Sequence, residues 1–261
     1  MTTDAADRVH EGLIAGFGAT ASRIPGTWVE RRDGYTAAVC PAIPLPGFNG
    51  LWIERDVAPS IVEAAMSDVA STTIPVFLLV RAGTTGAFAD TAAALGFRLE
   101  ESVPAMVVER DALVAGPRID VEVRRTGMQE RHTAVDLCAA GFGGPRPMFE
   151  TMYTSIFATP GFAVYEAWIH DQPVSTASSC KAHGSVGIFN VATSAEHRRH
   201  GYGRSVTERA IRDGFDAGAD LAWLQASELG APVYRAMGFR EVDRYDIYSS
   251  GDAAAGADQG S

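Results

Sequence analysis

Apolar residues recur along this chain with two periods, and these divide the C-terminal half into a regular order of elements. Residues 118–124 (RIDVEVR) alternate every second position, which predicts a half-buried strand. Helical spacing predicts helices over 128–140 and 149–157, separated by a breaker-rich loop from Gly141 to Pro147. Three strand-like runs follow, over 162–170, 174–182 and 185–193. Turns at Asp171-Gln172-Pro173 and His183-Gly184 join them into a predicted meander. Val206 to Ala217 predicts a helix with Val206, Ala210, Ile211 and Phe215 on one face and Gly218 as its stop. Strands over 221–226 and 241–249 complete the half.

The N-terminal half reads as a worn copy of the same plan. Ala94-Leu95-Gly96-Phe97-Arg98-Leu99-Glu100 parallels Ala236-Met237-Gly238-Phe239-Arg240-Glu241-Val242. The strand-like 76–80 mirrors 221–226, the amphipathic 57–70 mirrors the helix that begins at Val206, and Phe48-Asn49 echoes Phe189-Asn190. Chance similarity of two Gly-Phe turns is the competing reading. Domain boundaries are expected at 1–115 and 116–250. Residues 251–261 are small and polar and are read as a disordered tail.

The chemistry concentrates between Ile188 and Ser205 (IFNVATSAEHRRHGYGRS), where a strand leads through a basic loop into a helix. Glycine at 201 and 203 lets a ligand approach the backbone. Amides of the loop and first helical turn then point outward without partners, at the positive end of the helix dipole. That is an anion site suited to a pyrophosphate, with Arg198, Arg199 and Arg204 adding charge. Taken alone, the same residues also fit an ordinary solvated helix start. A nicotinamide-type loop would need a third glycine at position 206, which is Val.

Arg198-x-x-Gly201-x-Gly203 resembles the acetyl-CoA loop of the Gcn5-related N-acetyltransferases. The segment Gly230-Ala-Pro-Val-Tyr-Arg-Ala-Met-Gly-Phe239 is similar to that family's terminal signature, a short helix carrying a tyrosine and ending in Gly-Phe. The two motifs stand in the family's order and separation. The resemblance implies an α/β fold with a mixed α+β sheet, the acyl-CoA N-acyltransferase fold, here in two tandem copies. The first copy lacks the loop, since the chain reads LWIERDVAPS before 57–70, and Ala92 stands where Tyr234 would be. The resemblance therefore implies a catalytically silent N-terminal partner.

It further implies acetyl-CoA as co-substrate, no metal, and transfer of the acetyl group to a primary amine of a small molecule by direct attack. Val191, Ala192 and Thr193 would lie along the pantetheine arm, and Arg198, Arg199, His200, Gly201, Tyr202, Gly203, Arg204 and Ser205 around the pyrophosphate. Tyr234 would protonate the leaving thiolate; phenol and thiol reference pKa values of about 10 and 8.5 are close enough for that transfer. Ser227 stands where relatives place an Asn or Ser near the pantetheine, and serves equally well as a helix cap. Glu166 is the candidate general base, against the reading of a solvated outer-face glutamate. Glu150 is a further candidate, either as base or as a binder of a cationic acceptor. Phe142, Phe149, Tyr153 and Phe157 are either core or acceptor-pocket lining. The other functional classes are a protein or peptide N-acetyltransferase and a non-catalytic acyl-CoA-binding regulator.

Composition narrows the setting. The chain has 261 residues, 46% hydrophobic, enough for one large or two modest cores. Its formal charge of -10 argues against a nucleic-acid surface. No apolar run approaches the ~18 residues of a membrane span, and MTTDAADRVHEGL lacks the pattern of a secretory signal. Cys40, Cys138 and Cys180 are scattered thiols without metal spacing, as expected of a reducing cytoplasm. The expected assembly is a monomer or a homodimer.

Overall fold

The computed structural model describes residues 4–54, 57, 58, 60, 61, 63, 65, 66, 74–81 and 85–250. The expected tail 251–261 and residues 59, 62, 64 and 67–70 of the amphipathic run lie outside them. Helices run over α1 (Ala5–Ala21), α2 (Thr85–Ala94), α3 (Arg131–Phe142), α4 (Arg146–Ala158), α5 (Tyr202–Asp216) and α6 (Ala231–Ala236). The strands are β1 (Trp28–Arg32), β2 (Tyr35–Val39), β3 (Gly50–Ile53), β4 (Phe77–Arg81), β5 (Phe97–Glu109), β6 (Glu122–Thr126), β7 (Phe162–Ile169), β8 (Gln172–Ala182), β9 (Ser185–Thr193), β10 (Leu221–Gln225) and β11 (Arg240–Ser250). The mixed α/β class expected from the sequence is the class observed.

The chain forms two compact units that are interleaved in sequence. One comprises Met1–Gly16 with Ala105–Val242, the other Phe17–Pro104 with the chain from Asp243 onward. The contiguous halves expected from the sequence thus exchange their ends: the first turns of α1 belong with the C-terminal half, and most of β11 with the N-terminal half.

In the first unit the strands lie side by side as β5-β10-β9-β8-β7-β6, where β5 contributes residues 105–109. Only the β9–β10 contact is parallel; β7 through β9 form the expected antiparallel meander, and β6 pairs antiparallel with β7. One face is covered by α5, whose Ala210, Ile211 and Phe215 pack with Val186, Ile188, Ala222 and Leu224. The helices α3 and α4 pack against β7, β8 and β9. The β7–β8 turn falls earlier than predicted, at His170 (φ 54°) and Asp171, and Pro173 sits near the start of β8. That is a position where its missing N–H breaks no interior ladder bond. The helix predicted from Val206 starts at Tyr202, because Gly201 turns the chain with φ 88° and its carbonyl accepts the Ser205 N–H at 3.0 Å.

In the second unit β1, β2 and β3 are antiparallel neighbours, β3 pairs in parallel with β4, and β4 pairs with β11. The order β2–β3–helical segment–β4–α2 repeats the order β8–β9–α5–β10–α6 of the first unit. The core gathers Leu51, Ile53, Leu78, Val80, Phe88, Phe97 and Tyr248.

A buried ion pair stands at the end of the β3–β4 pair. Arg81 Nε donates to Asp243 Oδ2 at 2.8 Å, and both side chains are almost wholly inaccessible. Glu54 Oε2 lies 3.9 Å from the same guanidinium. Removing one partner of such a pair strands a charge in a low-dielectric interior. Asp243→Ala should therefore lose about 3 kcal/mol in urea unfolding, whereas Arg81→Met combined with Asp243→Leu should recover most of it.

Candidate active site

The strands β9 and β10 pair in register from Ser185↔Leu221 to Ile188↔Leu224, and the pairing stops there. On its other side β9 stays paired with β8 but slips: Thr176 faces Ala192 and Ser178 faces Phe189, so Asn190 and Val191 together oppose Ala177. This is a β-bulge, and Asn190 adopts φ 53° within it. The extra twist leaves Asn190–Thr193 as a length of strand edge without a β10 neighbour. Val191 packs toward α5, whereas Ala192 is buried against Gly141 of α3. Ser175 Oγ gives its hydrogen to Ala192 O at 2.9 Å, so the Thr193 hydroxyl, 2.9 Å away, donates to Ser175.

Beyond Thr193 the chain makes a short 3-10 turn (Ala195–His197) and enters α5 through Arg199 (φ 65°), His200 and Gly201. No side chain caps the helix, and the amides of Tyr202, Gly203 and Arg204 have no acceptor among the described residues. A Cβ on Gly203 would stand 3.1 Å from Thr193 Oγ1, so glycine keeps this corner open. His200 stacks on Tyr202 at 5.8 Å and its Nδ1 bonds Arg198 O at 2.9 Å, which stiffens the loop. The Ser205 hydroxyl donates back to Gly201 O at 3.2 Å. Arg198 and Arg199 are exposed, and Arg198 Nε also reaches Thr193 O at 3.4 Å. Arg204 turns elsewhere: it donates to Val114 O at 3.0 Å and Ala236 O at 3.4 Å. Its contribution to an anion here is its amide. The open amides, the glycine corner and the two exposed arginines together fit a pyrophosphate.

Tyr234 lies on α6, buried among Ala210, Ile211, Ala231 and Met237. Burial pushes its hydroxyl up to about 12, and the nearby Thr207 hydroxyl offsets this only in part, without a hydrogen bond of full geometry. The phenol is therefore fully protonated at neutral pH. Ser227 Oγ accepts the Gly230 N–H at 3.2 Å and Ser227 O accepts the Ala231 N–H at 2.9 Å, so this residue organises the turn into α6.

Glu166 is not a solvated glutamate. It is 1% exposed, accepts a hydrogen bond from Trp168 Nε1 at 3.1 Å on Oε2, and leaves Oε1 buried without a partner. Burial pushes its carboxyl up to about 7 from an ordinary 4.5, with Thr126, Trp168 and Arg124 acting in the opposite direction. Registers place Arg124, Glu166, Thr176 and Ala192 in one row across β6–β9. Glu166 and Ala192 thus share a face two strands apart, about 10 Å by strand spacing. A group at Ala192 would reach Glu166 only through water. Glu150 is bound on both oxygens, by Arg131 at 2.8 Å and Arg146 at 3.3 Å, which leaves it no free charge for a cation. Phe149 and Tyr153 are core, whereas Phe142 is 55% exposed and stacks on Phe149.

The structure thus brings Val191, Ala192, Thr193, the 198–205 loop and the helix carrying Tyr234 around one fork in the sheet. The bulge at Asn190 was missed from sequence. Its only signal is that asparagine tolerates positive φ better than most residues. Among the described residues no three His, Cys, Asp or Glu side chains are grouped to hold a metal ion, and no helix is long and apolar enough to cross a membrane.

Residues 122–242 match the family described as "Acetyltransferase (GNAT) domain". Across nearly its full length the chain also shares its fold with solved structures of low identity. A GCN5-related N-acetyltransferase from Kribbella flavida superposes with a TM-score of 0.75 at 17% identity, covering 96% of this chain and 97% of that one. One from Sphaerobacter thermophilus gives 0.61 at 15% identity, covering 95% and 91%. A tandem GNAT protein from the clavulanic acid biosynthesis pathway gives 0.59 at 14% identity, covering 96% of each chain. No curated protein matches the chain in sequence.

The Glu166 carboxyl carries a direct consequence for stability. The unfolded chain ionises it near 4.5 and the folded protein near 7, so the folded state holds the extra proton between those values. Its contribution is complete below the lower value and lost as pH rises through the upper one. Glu166→Gln should be more stable than wild type at pH 8, by up to about 3 kcal/mol, and equal to it at pH 4. Urea unfolding at the two pH values checks this.

Proposed function

Because residues 122–242 match the GNAT acetyltransferase domain family, whose members draw on an acyl-CoA donor, we propose that this protein transfers the acetyl group of acetyl-CoA to a primary amine of a small molecule. The observation that carries the reading is the coincidence of two backbone features. The unpaired edge Asn190–Thr193 begins where β10 stops, and the uncapped start of α5 faces the same corner through Gly203 and Thr193. An extended, amide-bearing arm suits the first, and its pyrophosphate suits the second.

Acetyl-CoA supplies the activated thioester; the chain binds, orients and manages protons. Amides of the bulged strand hold the arm, and one of them faces the carbonyl oxygen where negative charge develops. Tyr234 gives its proton to the departing thiolate. Glu166 takes the amine's proton through water, since it lies too far along the row for direct contact, and a pKa of about 7 leaves it substantially ionised at neutral pH. The arginine pairs on Glu150 favour an acceptor that is not a polycation.

In this reading the second unit is a degenerate copy without a donor site. Its β3 and β4 pair from Gly50↔Phe77 to Ile53↔Val80, the last residue of β3, so no residue of β3 is left beyond the pairing. The Arg81–Glu54 contact ties the two strands together where a fork would open.

Acetyl-CoA at ~100 times its dissociation constant should raise unfolding stability by about 2.7 kcal/mol, with NADPH inert. A free-thiol assay over a panel of small amines then tests transfer. Tyr234→Phe should bind acetyl-CoA as wild type does but turn over ~100-fold more slowly. Absence of stabilisation by any CoA thioester would overturn the reading.

A further inference from the structure

The bulge at Asn190 needs a lock. An asparagine at φ 53° is held in a left-handed conformation that costs energy. A one-residue slip would remove the bulge and flip Val191, Ala192 and Thr193 to the opposite faces. The site around them tolerates no such exchange. A Cβ at Gly141 would already stand 2.9 Å from Ala192 Cβ, so nothing larger than alanine fits opposite α3.

The polar groups around Asn190 come from three elements and hold it from both sides, at its carbonyl and at its side chain. Cys138 Sγ on α3 donates to Asn190 O at 3.6 Å. Because a thiol has one hydrogen, the Tyr153 hydroxyl on α4, 3.1 Å from that sulfur, is the donor to it. Asn190 Nδ2 donates to Ser178 Oγ on β8 at 3.3 Å. Cys138, Tyr153 and Ser178 are all fully or almost fully buried. Burial pushes the Cys138 thiol up to about 12, which keeps its hydrogen in place as a donor. Such a buried network is stronger than its separate bonds and specifies one geometry.

We propose that Tyr153, Cys138 and Ser178 are positioning residues for the acyl-donor strand: they fix Asn190 in the bulge and thereby hold Asn190–Thr193 away from β10. None of them touches the donor; they act through the backbone of β9. The inference rests on the reading of that edge as the place where acetyl-CoA lies.

The test is titration calorimetry with acetyl-CoA, alongside thermal unfolding, on wild type, Tyr153→Phe, Cys138→Ala, Cys138→Ser and Val135→Ala. Val135 is a fully buried apolar residue on the same helix and controls for loss of packing. Tyr153→Phe and Cys138→Ala should each raise the dissociation constant about 10-fold, the worth of one buried hydrogen bond. Cys138→Ser, which restores a donor, should remain within about 3-fold of wild type, and Val135→Ala should lower the melting temperature without changing affinity. Wild-type affinity in Tyr153→Phe and Cys138→Ala, or an equal loss in Val135→Ala, would overturn the positioning role alone. A wild-type protein that does not bind acetyl-CoA would overturn the donor reading and this inference with it.

Discussion

Everything proposed for this molecule depends on β9 pairing firmly with β10 up to Ile188 and not at all beyond it. The lower part is clamped by close contact. A Cβ on Gly187 would stand 2.3 Å, and one on Gly12 2.6 Å, from the Trp223 ring, so the indole lies pressed between β9 and α1. Its Nε1 donates to Ser185 Oγ at 3.1 Å. At Gly214 a Cβ would meet Val186 at 2.7 Å, which draws α5 equally tightly onto the other face. Above this clamp the bulge takes over and the strands part. A paired strand offers no backbone to a ligand, so the fork is the condition for any recognition by main-chain amides.

The anion corner follows the same economy. Of the arginines that crowd the loop in sequence, Arg204 is spent on the carbonyls of Val114 and Ala236. Glu208 on the next turn binds the Gly116 N–H and Arg212, and the Val114 N–H donates to Met237 O at 3.0 Å. These bonds strap residues 114–116 onto α5 and α6 and hold the helix start still. What faces outward is backbone, with Arg198 and Arg199 at its margin. Preorganised amides lose little on binding, because nothing has to reorient.

The second unit carries the same order of strands and helices but spends its strand ends differently. Where the first unit parts β9 from β10, the second pairs β3 to its last residue and places a buried arginine between two carboxylates.

Much of the architecture was legible because it is written in periodicity and punctuation. The meander, the helix after the loop and the Gly-Phe turn follow from local spacing, and local spacing survives into the fold because each element buries its own apolar face. The loop was legible for a related reason: two glycines and an uncapped helix start are properties of the backbone, read directly from residue type. The first helix, the long strand β5 and the exchange of chain ends between the units were not legible, since nothing local marks which distant strand a segment will join. The same holds for single groups. The sequence placed Glu166 on a strand, but burial under a neighbouring layer decides that its carboxyl is held near neutrality. It offered Cys138 as a scattered thiol and Tyr153 as core or acceptor-pocket lining, and only packing sets them around Asn190. Sequence by itself determined which backbone could open toward an anion. Tertiary structure decided where the sheet parts and which polar groups lose their water, because register and desolvation are set by residues far apart in the chain.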